Sequence, residues 1–194
     1  MALIITGGKW QSQIIPTPKH NKIRPTTSRM RESIFSQMQC HLNGCRFMDG
    51  FSGTGIMSLE ALSRGADFVL SNEKHRPQAH HLRNIRSQFK QDETHWHISA
   101  LPFEKLISKG NSAQPFDWIY LDPPYPLITP QALNQWLTPL IKNNWLTTEP
   151  KGQLWLEHPT SFSPNQPTAT RRYGDSTISQ WTAEDLAKAY PSSP

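Results

Sequence analysis

Hydrophobic and polar residues follow one another in a pattern that predicts strands alternating with helices. Short apolar runs, which predict buried strands, occur in RFMDGF, DFVLSNE, HWHIS, FDWIYLD and QLWLEH. Apolar residues spaced by three or four positions, which predict helices, occur in TTSRMRESIFSQM, GIMSLEALSRG, RPQAHHLRNIRSQF, LPFEKLIS and QALNQWLTPLIK. Apolar strands that alternate with helices are typical of a mostly parallel sheet covered by helices on both faces. The pattern therefore predicts an α/β fold.

The two ends of the chain depart from this alternation. Near the start, the apolar segments LII and QII flank the turn residues GGK, which predicts a small β-hairpin over residues 2–16. Near the end, TATRRYGDSTISQW predicts two closing strands, with an antiparallel last strand. We therefore predict a basic N-terminal hairpin and loop extension over residues 1–25, followed by one α/β domain over residues 26–190.

The positive charge of the chain is concentrated near its start. The 194 residues carry a formal net charge of +5, and residues 1–45 hold six basic residues and one acidic residue, which is the whole of that excess. Lysine and arginine side chains bind phosphate groups, so this distribution favours a nucleic acid as partner. The candidate contacts to a nucleic acid, with one tryptophan as a stacking ring, are Lys9, Trp10, Arg24, Arg29 and Arg31.

Several classes of protein do not fit the sequence. No apolar run approaches the roughly 20 residues of a membrane span, and the start lacks the layout of a signal peptide. Cys40 and Cys45 match neither a zinc pattern nor a disulfide framework. His95 and His97 share one face of a predicted strand but lack a third metal ligand. We expect a cytoplasmic, monomeric protein with no metal and no membrane partner.

A glycine-rich turn, MDGFSGTG, follows the first strand of the predicted sheet. Ligands of such sheets bind beyond the carboxyl ends of the strands, and glycine lets the backbone approach them closely. A nicotinamide fingerprint would need a third glycine at position 58, which is Ser58. The carboxylate of Asp49 suits a cofactor that carries an ammonium and a sulfonium, which favours S-adenosylmethionine over NAD. The candidate cofactor contacts in this turn are Asp49, Ser52, Gly53 and Gly55.

The next two strands also end in polar residues. Glu73 closes DFVLSNE, where a carboxylate is well placed to accept hydrogen bonds from both hydroxyls of a ribose. Ser99 and Ala100 end HWHIS, where a small polar residue can meet the edge of an adenine. We expect all three residues to contact the cofactor.

The strand FDWIYLD ends in Asp122, Pro123, Pro124 and Tyr125. The exocyclic amine of a nucleobase is a poor nucleophile, so its methylation needs acceptors that hold both N–H groups and orient the lone pair. A carboxylate and the carbonyl of the following proline supply them, and prolines have no N–H to compete. A tyrosine ring can stack on an extruded base. These four residues therefore predict the catalytic turn of an amino-methyltransferase.

The chain resembles the RsmD family of bacterial rRNA guanine-N2 methyltransferases. The similar segments are GGKW, RPTTSRMRESIF, MDGFSGTG, LEALSRGA, YLDPPY and YGDST. The resemblance implies a Rossmann-like class I methyltransferase fold, S-adenosylmethionine as cofactor, and methylation of N2 of guanine 966 in 16S rRNA, free or within the small ribosomal subunit. It places cofactor binding at Asp49, Gly53, Gly55 and Glu73, and catalysis at Asp122, Pro123 and Tyr125. Gly50, Ser52 and Ser99 depart from the residues usual in the family.

Two other functions fit parts of the sequence. A DNA amino-methyltransferase acting on adenine N6 or cytosine N4 has the same catalytic chemistry, but such enzymes usually need a separate sequence-reading module. The chain has no segment large enough for one. A non-catalytic RNA-binding assembly protein has no need of an intact DPPY turn or glycine turn.

Overall fold

The computed structural model describes residues 3–16, 27–38, 42–111, 113–148 and 152–191. The chain forms two compact units, Met1–Ala100 and Leu101–Pro194. The predicted boundary between residues 25 and 26 lies outside the described residues. No helix in the described ranges is long and apolar enough to cross a membrane.

The first unit begins with the predicted hairpin. Strand β1 (Leu3–Ile4) pairs antiparallel with β2 (Ile14–Ile15), and Leu3 lies opposite Ile15. Both of these facing side chains are buried, whereas Ile4 and Ile14 on the other face are exposed. The alternation of a strand thus places one face of this short hairpin against the rest of the unit.

Helix α1 (Ser28–Met38) is the next element in the described residues. It begins where the Thr27 hydroxyl accepts a hydrogen bond from the Met30 backbone N–H at 3.3 Å, as an N-terminal cap does. The predicted apolar face, formed by Met30, Ile34 and Met38, is buried. The sequence pattern therefore predicted this helix and its buried face correctly.

Three parallel strands and two helices complete the first unit. The strands pair in the order β5, β4, β3, with Asp49 opposite Ser71 and Asn72 opposite Ser99. All eight residues of α2 are buried, which explains its lack of an apolar and a polar side. The elements are β3 (Arg46–Asp49), α2 (Ile56–Ser63), β4 (Phe68–Asn72), α3 (Arg76–Gln88) and β5 (Trp96–Ser99).

The described residues of the second unit form four strands and three helices. Strands β6 and β7 are parallel, and β9 pairs antiparallel with both β7 and β8. The tryptophans at positions 136, 145 and 155, predicted to be core residues, are buried. The elements are α4 (Phe103–Ser108), β6 (Trp118–Leu121), α5 (Pro130–Lys142), β7 (Gln153–Pro159), β8 (Ala169–Tyr173), β9 (Ser176–Thr182) and α6 (Ala183–Ala189).

The predicted fold class is confirmed. In the described residues the larger sheet has seven strands, and β9 runs antiparallel to its neighbours β7 and β8. Helix α6 was not predicted. It spans only Ala183–Ala189, too few residues for a clear helical period, and the Thr182 side chain caps its start.

A buried ionic cluster fixes the N-terminal hairpin to α2. Glu60 is fully buried and accepts hydrogen bonds from the backbone N–H of Thr6 at 2.7 Å and from Nε of Arg64 at 3.2 Å. Nε of Arg31 lies 3.4 Å from the same carboxylate, and its Nη2 donates to the carbonyl of Ile4 at 2.7 Å. Residues of the hairpin, of α1 and of α2 thus contribute to one cluster, in which three charged side chains hold these three elements together.

The assignment of Arg31 as a nucleic-acid contact is therefore wrong. Its side chain is only 1% exposed and its guanidinium is used inside the protein. A phosphate group cannot reach it without unfolding the cluster.

We expect Arg31→Ala to lower the free energy of unfolding by about 1.5–3 kcal/mol, the size of a charge-assisted hydrogen bond. The loss stays below that of a fully uncompensated buried charge because Arg64 still pairs with Glu60. Urea denaturation measures the change. Arg29→Ala is the matched control, since Arg29 is exposed on the same helix and should change the free energy by less than about 0.5 kcal/mol. Equal stabilities of the two variants would contradict the structural role of Arg31.

Candidate functional site

The glycine turn after β3 is held in place by backbone hydrogen bonds. The N–H of Ser52 donates to the carbonyl of Asn72 at 2.9 Å, and the N–H of Gly55 donates to the carbonyl of Ser52 at 2.7 Å. Gly53 and Gly55 have φ angles of 48° and 77°, in the region that favours glycine. A Cβ at position 55 would lie 2.6 Å from Cδ2 of Leu82, so a side chain there would displace Leu82 in addition to straining the backbone.

A chain of hydrogen bonds reaches Asp49 from inside the first unit. The Ser58 hydroxyl donates to Oδ2 of Asp49 at 2.8 Å and lies 2.6 Å from the Ser71 hydroxyl, which accepts from Nε1 of Trp96 at 2.7 Å. Each hydroxyl has a single proton, and Ser58 gives its proton to Asp49. The Ser71 hydroxyl must therefore donate to Ser58, which orients the whole chain toward the carboxylate. Ser58, noted in the sequence only as a missing glycine, thus positions Asp49.

Burial changes the acidity of Asp49. Its side chain is 1% exposed, and this desolvation raises its pKa to about 7, against the lowering effect of the Ser58 hydrogen bond. The nearby carboxylate of Glu73 raises it further. At neutral pH the group therefore exchanges a proton readily, and a cation beside it would favour the ionised form.

Glu73 lies just beyond β4 and bridges two loops. Its Oε2 accepts from the N–H of Gly53 at 3.1 Å and its Oε1 accepts from the N–H of His75 at 2.8 Å. Its own N–H donates to the carbonyl of Ser99 at 3.0 Å. A carboxylate has about four acceptor directions, so each oxygen can accept a further hydrogen bond from a ligand hydroxyl.

The structure gathers the predicted cofactor contacts of the first unit at one edge of its strands. Asp49 ends β3, and Ser52 and Gly53 follow it; Glu73 follows β4; Ser99 ends β5, and Ala100 follows it. Ser99 is buried and Ala100 is partly exposed. Whether these residues bind a cofactor stays a prediction.

Sequence reasoning missed two polar side chains in this region. Nδ2 of Asn72 donates to the carbonyl of Gly50 at 3.2 Å, while its buried Oδ1 has no hydrogen-bond partner among the described residues. Nε2 of Gln78 donates to the carbonyl of Gly53 at 2.7 Å. The position of Asn72, directly before a strand-end acid, was the available signal. An unsatisfied buried acceptor is costly unless a ligand or water donates to it.

The DPPY turn lies in the second unit, at the carboxyl end of β6. Asp122 is partly exposed and Pro123 is buried, and a turn of 3₁₀ helix covers Tyr125–Leu127. The Tyr125 hydroxyl lies 2.6 Å from the hydroxyl of Ser176, a buried residue that begins β9. The segments DPPY and YGDST therefore meet through this bond, a contact that sequence reasoning did not predict.

The remaining candidate contacts to a nucleic acid differ in how far their side chains are exposed. Lys9 and Arg29 are exposed, and Arg24 lies outside the described residues. The Trp10 ring is half-buried, with its centroid 4.9 Å from that of Phe89 and with Nζ of Lys9 4.4 Å away. Only part of this ring remains available for stacking. The roles of Lys9, Trp10 and Arg29 stay predictions.

Within the described part of the chain, no further ligands complete a metal site at His95 and His97. His95 lies on the surface, and its Nδ1 is 3.0 Å from Oδ1 of Asp92. Among the described residues, no group of three or more histidine, cysteine, aspartate or glutamate side chains could hold a metal ion.

Known proteins are similar to this chain in sequence and in fold. A family model described as conserved hypothetical protein 95 matches residues 3–182. Over 141 residues the chain is 27% identical to ribosomal RNA small subunit methyltransferase D of Haemophilus influenzae, covering 70% of this chain and 73% of that protein. It is 31% identical over 122 residues to the Escherichia coli protein of the same name, covering 62% and 59%.

The fold is also found in a solved structure. A putative methyltransferase from Escherichia coli superimposes with a TM-score of 0.78 at 22% identity, over 93% of this chain and 97% of that one. At this identity the likeness shows the shared fold alone. The family model, in contrast, covers nearly all of the sequence, and so the protein belongs to this family, the RsmD family that its motifs resemble.

Proposed function

We propose that the protein is an S-adenosylmethionine-dependent methyltransferase that acts on small-subunit rRNA. In its finer form, the proposal names the N2 amine of guanine 966 as acceptor and the cytoplasm as the place of action. The observation that carries it is the DPPY turn at the end of β6, with the ring of Tyr125 anchored to β9 through Ser176. Relatives named as rRNA methyltransferases support the choice of RNA over DNA.

The residues of the first unit fit this cofactor. The sulfonium of S-adenosylmethionine supplies the electrophilic methyl group. The ionised form of Asp49 would balance the positive charge of the bound molecule, and Glu73 would accept hydrogen bonds from its ribose hydroxyls. The buried Oδ1 of Asn72 has no partner among the described residues, so a donor of the ligand would satisfy it.

The residues of the second unit suit the acceptor. The Asp122 carboxylate and the Pro123 carbonyl would accept the two N–H groups of the guanine amine and orient its lone pair. The ring of Tyr125 would stack on the base. The carboxylate would also stabilise the positive charge that grows on the nitrogen as it accepts the methyl group. The amine then loses one proton, to Asp122 or to water, once methylation has made it strongly acidic.

One labelling experiment tests the function. The full chain is incubated with tritiated S-adenosylmethionine and with small ribosomal subunits, free 16S rRNA or duplex DNA. We expect label in rRNA or in the subunit, and digestion should yield N2-methylguanosine from a single position. Label in duplex DNA would instead indicate a DNA amino-methyltransferase. RNA binding without any transfer would indicate an assembly protein.

The cofactor assignment has its own test. We expect Glu73→Ala to weaken S-adenosylmethionine binding by about 1.5–3 kcal/mol because charge-assisted hydrogen bonds to the ribose are lost. Isothermal calorimetry measures the affinity. Glu93→Ala is the control, since Glu93 is an exposed carboxylate of the same unit. A folded Glu73→Ala protein with wild-type affinity would exclude Glu73 as the ribose ligand.

Removal of the hydrogen bond between Tyr125 and Ser176 should have a smaller effect on the methylation rate. A ring needs no hydroxyl to stack, but this hydroxyl holds the ring to Ser176. Tyr125→Phe should therefore slow single-turnover methylation severalfold, Ser176→Ala should do the same, and the double variant should be no worse than either. Tyr125→Ala should be more damaging because the ring itself is lost. Additive effects of Tyr125→Phe and Ser176→Ala would show that the bond is not what positions the ring.

A further inference from the structure

Strand β8 carries two arginines that have no role in the proposed function so far. Strand β8 lies at one end of the strand order, and Arg171 and Arg172 are both exposed. Among the described residues neither forms an ion pair, whereas Arg31, Arg64 and Arg86 all face a carboxylate. Their positive charge is therefore directed to solvent.

The position of β8 places these charges beside the DPPY turn. Tyr173 at the end of β8 lies opposite Ser176, the residue whose hydroxyl is 2.6 Å from that of Tyr125. Arg172 and Arg171 come one and two residues earlier, at about 3.3 Å of rise per residue. The arginines thus lie within a few residue lengths of the ring proposed to stack on the target base.

Local contacts keep both side chains near the surface of the strand. The Arg171 guanidinium lies 5.8 Å from the centroid of the Tyr173 ring, and alternate residues of a strand share one face. On the other face, Nε of Arg172 donates to the carbonyl of Gly174 at 2.9 Å. One negative charge, Asp175, lies in the same turn, so the hairpin keeps a net positive charge. A guanidinium held in this way matches a phosphate group with paired N–H donors.

We propose that the β8 edge, formed by Arg171, Arg172 and Tyr173, binds the phosphate backbone of the RNA strand that carries the methylated base. This inference rests on the proposed function and adds to it a substrate-binding surface in the second unit. The charge complementarity and the link from Tyr173 through Ser176 to Tyr125 are the grounds for choosing RNA as the occupant.

Charged side chains on an edge strand have another known use, because they prevent pairing with a second chain. That use needs a charge of either sign, whereas phosphate binding needs a positive one. Replacing both arginines by glutamate therefore separates the two roles. R171E/R172E should still prevent pairing of the edge strand with a second chain, but it should not bind phosphate.

The chain offers a matched control for charge. Lys109 and Lys142 are also exposed residues of the second unit. They lie at the end of α4 and of α5, and the carbonyl of Lys109 accepts from Nε1 of Trp145, next to the residues that lead into β6. K109A/K142A thus also removes two positive charges, but at the end of β6 opposite the DPPY turn.

The test measures binding of an unmodified 16S rRNA transcript to the full chain at several salt concentrations. We expect R171A/R172A to weaken binding about tenfold and to reduce the slope of log affinity against log salt by about 1.4, or 0.7 for each single-strand phosphate contact. R171E/R172E should weaken binding further and remain soluble. K109A/K142A should match the wild type, and all variants should bind S-adenosylmethionine normally.

Three negative results can be distinguished. If the wild type methylates the transcript or the subunit but R171A/R172A binds with the wild-type slope, the β8 edge is ordinary surface and the inference alone fails. If the wild type transfers no methyl group to RNA in any form, the proposed function fails. Aggregation of R171E/R172E, with normal RNA binding by R171A/R172A, would assign the arginines to protection of the edge.

Discussion

Asp122→Ala should lower the single-turnover rate of RNA methylation by about 10²–10³-fold, the loss found when one preorganised electrostatic group is removed from a reacting centre. The lone pair of an aryl amine is delocalised into the ring, so the reaction depends on acceptors that fix its direction. Asp122 is the partly exposed carboxylate at the end of β6, directly after a fully buried strand. Its removal should leave the affinity for S-adenosylmethionine nearly unchanged, because that site is assigned to other residues.

The amide variant separates orientation from charge. Asp122→Asn keeps one acceptor oxygen but loses the negative charge that stabilises the developing ammonium. If orientation dominates, Asp122→Asn should retain clearly more activity than Asp122→Ala, and if charge dominates the two should be equally slow. Asp117→Ala is the matched control, since Asp117 precedes the same strand at its amino end and is also partly exposed.

Rates are measured under single-turnover conditions with enzyme in excess over rRNA, so that product release does not mask the chemical step. Circular dichroism and calorimetry with S-adenosylmethionine establish that each variant is folded. A wild-type rate for Asp122→Ala would remove the chemical basis of the proposed function, whatever the cofactor affinity.

Local patterns predicted most of the fold because the relevant physics is local. The buried strands and the apolar faces of α1 and α5 follow directly from the periods of the sequence. The strand ends at Asp49, Glu73 and Asp122 follow as well, since a carboxylate after an apolar run marks the point where a parallel strand leaves the core.

Burial of individual charges was harder to predict. The basic composition of its segment predicts a surface position for Arg31, yet its spacing to Ile34, Phe35 and Met38 is that of a buried helical face. Its partner Glu60 lies 29 residues away, so composition alone could not reveal the pair. The helical period was the stronger signal, and the charge count hid it.

Contacts between distant segments were not predictable from either pattern. The bond between Tyr125 and Ser176 joins residues 51 positions apart. The chain of hydrogen bonds from Trp96 through Ser71 and Ser58 to Asp49 joins four elements, β5, β4, α2 and β3. Such bonds depend on the packing of strands and helices, which the sequence specifies only through the complete fold. They are also the contacts that orient the predicted functional groups.

Ionisation of Asp49 should lower the stability of the folded protein but strengthen its binding of S-adenosylmethionine. Its pKa is raised from 3.8 to about 7 by burial, so the folded state holds a proton that the unfolded state loses. Below about pH 4 both states are protonated and the shift costs nothing. The contribution of Asp49 to the free energy of unfolding therefore falls as pH rises from 4 to 7 and then levels off. At 1.36 kcal/mol per pH unit, the total decrease is up to about 4 kcal/mol.

Asp49→Asn should abolish this pH-dependent loss. Between pH 4 and pH 8 its unfolding free energy relative to wild type should rise by up to about 4 kcal/mol, measured by urea denaturation at each pH. Burial of the amide adds a cost that does not vary with pH, so the change with pH isolates the ionisation of Asp49. The same unfolding free energy difference at both pH values would mean that Asp49 ionises normally.

Binding of S-adenosylmethionine should show the reverse. A cation near Asp49 favours its ionised form, so wild-type affinity should increase as pH rises toward and through 7, with about one proton released per ligand bound at pH 6. Calorimetry in buffers of different ionisation enthalpy measures that proton.

Asp49→Asn should bind more weakly at pH 8 and release no proton at pH 6. Ser58→Ala, which removes the hydrogen bond that lowers the pKa of Asp49, should move the midpoint of the affinity increase to higher pH. Wild-type binding that neither depends on pH nor releases a proton would exclude Asp49 as the partner of the cofactor's positive charge. A buried carboxylate that destabilises the ligand-free protein at neutral pH is otherwise without benefit, and the gain in binding is what we expect to offset its cost.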